Sequence, residues 1–160
     1  MMPDDLYWND ILAWSERQAD LLRRAAAGER VNDVDWPNII EEIESVGNSE
    51  LRACASFLRK ALEHLLKLLG WPEHPAAEHW RGEVRTFLAD ASLAFTPSMR
   101  QRLDLAALYA RALGIVRDTS MDGVPPAALP DTCGLTLDAL LADKPDVAAL
   151  LYALGHAAAE

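Results

Sequence analysis

Residues 50–69 read ELRACASFLRKALEHLLKLL, and within them Leu51, Ala55, Leu58, Leu62, Leu65 and Leu69 recur at intervals of three and four. That spacing puts all six on one side of an α-helix. Cys54, Phe57 and Ala61 widen the apolar stripe, while Arg52, Arg59, Lys60, Glu63 and Lys67 cover the outside. Gly70 and Pro72 stop the helix, because glycine favours the residue after a helix end and proline cannot continue one. No alternation of β-branched residues is present elsewhere, so the stretch sets the class as all-α.

Upstream, Tyr7, Trp8, Ile11, Trp14, Gln18, Leu21, Leu22 and Ala25 share a helical face, predicting one amphipathic helix from Leu6 to Ala27, ended at Gly28. Asp35 is expected to cap a second helix, with Pro37 tolerated in its first turn. Ile39, Ile40, Ile43 and Val46 form its predicted buried stripe, and Glu41, Glu42 and Glu44 its wetter side. Gly47-Asn48-Ser49 predicts a break, since glycine is costly inside a helix and asparagine or serine caps the next one.

Downstream, the loop WPEHP at residues 71–75 leads to a fourth helix with the stripe Trp80, Val84, Phe87, Leu88 and Ala91. Thr96-Pro97 predicts the start of a fifth, running to about Asp118 and lying at the centre of the bundle. DTSMDGVPPAALPDTCG, residues 118–134, reads as an extended connector, followed by short helices over 137–142 and 146–154. The predicted architecture is a single-domain bundle of about five main helices: a core over 1–118, a Pro/Gly-rich connector over 119–135, and short C-terminal helices over 136–160 packed on the same domain.

A chain of 160 residues with 51% hydrophobic and 25% charged composition is of globular type. Its 25 acids against 15 bases give a formal charge of −10, the wrong sign for gripping a phosphate backbone, so no nucleic-acid partner is expected. Residues 1–80 hold 15 of the acids, 8 of the bases and all five tryptophans. The start MMPDDLYWND lacks a basic, then apolar, leader pattern, and no apolar run reaches membrane-spanning length. A cytoplasmic protein without membrane association is the expectation. Two cysteines without CxxC spacing predict free thiols.

Complete catalytic motifs are missing: there is no GxSxG, Walker loop or GxGxxG. Cys54 on a leucine-rich face reads as a core residue. None of His64, His74, His79 and His156 has a glutamate three residues before it, and HExxH is absent. A looser divalent-metal site is conceivable from His64, His79 and a carboxylate of the Glu41 to Glu44 cluster. The run EEIES sits one residue out of register with the EExxE of magnesium-dependent all-α pyrophosphatases, and no ExxD follows in the third helix. Trp14 and Trp80 belong to buried stripes, whereas Trp36 and Trp71, each before a proline, are candidates for a binding surface. Were the second and third helices antiparallel across Gly47, Glu41 or Glu44 would approach His64 or Lys67, which makes Glu41, Glu42, Glu44, His64 and Lys67 the candidates for one hydrogen-bonded polar cluster.

The order of these features resembles the bacterial domain-of-unknown-function family 29. Its Asp-x-x-x-Trp-x-x-x-Gln helix matches Asp10, Trp14 and Gln18; its IIEEIES-x-G segment matches Ile39 to Ser45 with Gly47. The HLLK segment matches His64 to Lys67, the following tryptophan Trp80, and the late Pro-x-x-Cys turn Pro130 to Cys133. Leu68 stands where the family has tryptophan, and the helix from Asp146 differs from the usual ending. The resemblance implies an all-α fold and no particular activity. Together the residues lead to an expected interaction or structural module without catalysis or cofactor. Its expected partner is a basic or apolar protein, with self-association possible. The alternative is a metal-binding or metal-dependent hydrolytic bundle.

Overall fold

The computed structural model describes residues 3–156, with side chains from Leu6 onward. Among the described residues seven α-helices are formed: α1 (Pro3–Asn9), α2 (Ile11–Ala26), α3 (Trp36–Gly70), α4 (Ala77–Ala94), α5 (Leu105–Arg117), α6 (Leu137–Leu140) and α7 (Val147–His156). Among the described residues there is no strand, only an isolated bridge between Met121 and Val124. The chain divides into two compact units, residues 1–49 and 50–160. The connector and the short terminal helices belong to the second unit.

In the first unit the expected single N-terminal helix is two. Asp10 adopts φ −152° and ψ 82°, and its Oδ1 accepts a hydrogen bond from Ala13 N at 3.0 Å, starting α2 afresh. An aspartate that caps the backbone is more stable there than as an outward helix residue. Gly28, at φ 90°, ends the segment as predicted, since a left-handed residue costs glycine little. Asp35 caps α3 with Pro37 in the first turn, also as predicted: its Oδ1 lies 3.4 Å from Asn38 N.

The predicted break at Gly47 does not occur. α3 runs through Gly47-Asn48-Ser49 as a single helix of 35 residues. Gly47 keeps a negative φ, and neither Asn48 nor Ser49 caps a new start. Glycine costs a helix only about 1 kcal/mol, less than the loss of the surrounding hydrogen-bonded turns would.

In the second unit, α3 supplies the centre. Cys54, Leu58, Ala61, Leu62, Leu65 and Leu66 are fully buried there, joined by Trp80, Val84, Leu88 and Ala91 of α4. The stripes predicted for these two segments supply most of this core, but Ala55 lies outside it, and Leu66 and Leu68, which are not in the predicted stripe, are buried. α5 is not the most buried helix. It begins at Leu105 on an Asp104 cap, and Thr96-Pro97 opens only a 3₁₀ turn, Pro97–Met99. Tyr109, Ala112, Leu113 and Val116 are buried while Ala106, Arg111 and Ile115 are exposed. The tail docks on its own unit, with Leu140, Val147, Leu150 and Leu154 in the same core cluster.

The connector is held by named bonds. Trp71 Nε1 donates to Val124 O at 3.0 Å, and Tyr109 Oη to Pro130 O at 2.5 Å. Burial raises the Tyr109 phenol to about 12. Ala127 N donates to Gly70 O at 2.9 Å, and a Cβ on Gly70 would lie 2.9 Å from Pro126 Cβ. Glycine is required at position 70 for this close approach. The tight turn at Asp122-Gly123 has both residues at positive φ, 50° and 76°.

Candidate functional site

The residues foreseen as one polar cluster lie in different units: Glu41, Glu42 and Glu44 in the first, His64 and Lys67 in the second. Their convergence needed an antiparallel turn at Gly47, and α3 has none. Each group has its own surroundings. Glu42 accepts a hydrogen bond from Tyr7 Oη at 2.6 Å. That bond, with burial and the nearby carboxylates, raises the Tyr7 phenol to about 12. Glu41 and Glu44 are exposed.

His64 is half-buried beside Phe87, with ring centres 5.3 Å apart, and its Nδ1 donates to Lys60 O at 2.8 Å. Burial pushes the imidazole below its ordinary value, the hydrogen bond to Lys60 opposes this, and the charge of Lys67 adds to the depression. His79 lies on the exposed side of α4, 3.8 Å from Glu83. Among the described residues no group of three or more His, Cys, Asp or Glu side chains is arranged to hold a metal ion.

Of the tryptophans proposed for a surface, Trp36 is 55% exposed and Trp71 only 7%. The Trp71 indole is buried because its N–H finds the Val124 carbonyl and its ring lies 6.4 Å from that of Trp80. Proline after it marks a helix end and says nothing about what covers that end. Trp14 and Trp80 are core residues, as read. Cys54 and Cys133 are free thiols, each raised by burial.

The stripe predicted to be buried on α3 is mostly uncovered. Only Ile39 of the four residues is buried; Ile40 is 53%, Ile43 68% and Val46 67% exposed. At about 100° per residue, Trp36, Ile40, Ile43 and Gly47 lie within an arc of about 60°, with Glu44 about 40° past one edge and Glu41 further round the helix. Every residue from Ile43 to Ser49 is exposed. Trp8, Ile11 and Leu12 are exposed on α1 and α2 of the same unit. A monomer surface carries single apolar residues as a matter of course, whereas here several large ones lie exposed along one face of a single helix.

A model of the family described as "Domain of unknown function DUF29" matches residues 6–144. The chain belongs to the DUF29 family. It is also similar to a solved structure, an alpha-helical protein of unknown function from Rhodospirillum rubrum. The two chains are 30% identical, the match covers 92% of this chain and 96% of that one, and the TM-score is 0.71. Among curated proteins nothing matches.

The geometry explains several of the segments that resemble DUF29. Asp10 caps α2, and one and two turns later Trp14 and Gln18 both grip Asp35. Trp14 Nε1 donates to Asp35 Oδ2 at 2.9 Å, while Asp35 N donates to Gln18 Oε1 at 2.9 Å. The Asp-x-x-x-Trp-x-x-x-Gln pattern therefore fastens α2 to the start of α3. The late Pro-x-x-Cys turn begins at the carbonyl that anchors Tyr109. These DUF29 segments are accounted for by folding, and the exposed row Trp36, Ile40, Ile43 is not.

Proposed function

We propose that this DUF29 chain is a protein-interaction module whose first unit docks a helix with an apolar face and basic borders. The observation that supports this reading is the exposed row Trp36, Ile40 and Ile43, with Glu44 at its edge and Glu41 further round the same side. A helix laid along it removes apolar surface from water at about 25 cal/mol per Å², and lysines or arginines on its border meet the carboxylates. No catalytic group is called on, and nothing in the arrangement of His64 and His79 adds to the metal reading.

The test is a titration with a synthetic amphipathic helix of leucine and lysine, read by tryptophan emission with Trp36→Phe as the reference. Binding should shift Trp36 emission to the blue, and Ile43→Asp should weaken it by about tenfold or more, the loss expected when a charge enters an apolar contact. A flat titration, or binding untouched by Ile43→Asp, contradicts the reading.

A further inference from the structure

The second unit carries an open groove of about 480 Å³ between α3 and α5. From α3 it is lined by Arg52, Ala55, Ser56 and Arg59, positions i, i+3, i+4 and i+7 on one face of that helix. α5 adds Leu108, Arg111 and Ile115, again one face. Ala55 and Ser56 are short, so a third helix can lie close to the floor. Leu108 and the exposed Ile115 offer apolar contact along it.

The charge is opposite to that of the molecule. Three arginines line the groove of a chain that is −10 overall. Arg59 is tied to Glu63, whereas Arg52 and Arg111 have no acidic partner among the described residues. The ligand that fits is a helix with an apolar row and an acidic border, and this sequence contains one: Trp36, Ile40 and Ile43 beside Glu41 and Glu44.

We infer that the partner of the first unit's exposed row is the α3/α5 groove of a second copy of this chain. The inference rests on the interaction reading above and names its partner. Charge decides against the simpler pairing of two exposed rows with each other. Packed antiparallel, two such rows would put the Glu44 carboxylates of both copies along the same edge, and like charges facing each other oppose association. In the groove the same carboxylates meet Arg52 and Arg111. Guanidinium groups are suited to the task, since their planar fork matches a carboxylate.

Sedimentation of the full chain, from about 1 to 200 µM, tests this at about 50 mM and 0.5 M salt. The wild type should exceed monomer mass at the upper concentrations and dissociate more readily in high salt. R52E/R111E should weaken association by about tenfold or more, as should E41R/E44R. The four-fold variant E41R/E44R/R52E/R111E, with both charge signs reversed, should regain association, and circular dichroism of each variant should match the wild type. A wild type that is monomeric throughout, association unmoved by R52E/R111E, or a four-fold variant no better than either double overturns the inference. A monomer that still binds the leucine–lysine helix with sensitivity to Ile43→Asp overturns the second-copy partner while leaving the interaction reading in place.

Discussion

Asp35 is the residue on which the first unit turns. Burial raises its carboxyl, but hydrogen bonds from Asn38 Nδ2, Trp14 Nε1 and the Asn38 backbone outweigh burial and hold it below the ordinary carboxylate value. A carboxyl lowered by folding contributes stability above its unfolded value of about 3.8, and that contribution is lost as pH falls through the lower folded value. Asp35→Ala leaves the buried Trp14 N–H without an acceptor and should cost about 1–3 kcal/mol. The measure is faster amide exchange in α2 at neutral pH. In the Trp14→Phe background the same change should cost less, because the bond is already gone. Unchanged exchange in α2 would show that the bond carries no weight. Sequence made both ends legible, Asp35 as a cap and Trp14 as a core residue. Their bond was not legible, because it joins positions separated by 21 residues and a turn. Trp71 was misread for a related reason: its acceptor, Val124 O, lies 53 residues on.

At the level of elements, helical period identified most helices and misjudged the ends of three: the division at Asp10, the continuity of α3 through Gly47, and the start of α5 at Leu105 instead of Pro97. Capping decided the first case, where Asp10 divides a continuous pattern. In the second, a glycine that suggested a turn sits inside α3, with open space where a Cβ would point. Gly47→Ala should therefore raise stability by about 0.5–1 kcal/mol, seen as a higher urea midpoint with unchanged helicity. A lower midpoint would mean that Gly47 serves as a turn. Period also fails to report coverage. Ile39, Ile40, Ile43 and Val46 form one predicted stripe, yet three of the four face solvent. The spacing says that these residues share a side and leaves open whether the side is buried by this chain or by another.

Across the whole molecule, composition and period were sufficient for the all-α class, and no described helix is long and apolar enough to cross a membrane. The division at Ser49 coincides with the Gly47-Asn48-Ser49 segment that predicts a break, but the chain there stays helical, so the signal marks a change of unit and not a helix end. The charge asymmetry was legible early: acids and tryptophans concentrate in the first half. The structure resolves that asymmetry into a row of exposed apolar side chains with carboxylates beside it. A site of this kind has no motif, because its chemistry is ordinary residues left uncovered, and the arginines of the α3/α5 groove escaped notice for the same reason. We propose that the row from Trp36 to Ile43, with the helix beyond it, is a docking surface. Hydrogen exchange over residues 40–49, with and without saturating leucine–lysine helix, tests it most directly. Docking predicts amide exchange there slowed by about tenfold or more. Unchanged exchange over 40–49 with the helix demonstrably bound elsewhere on the chain would contradict it.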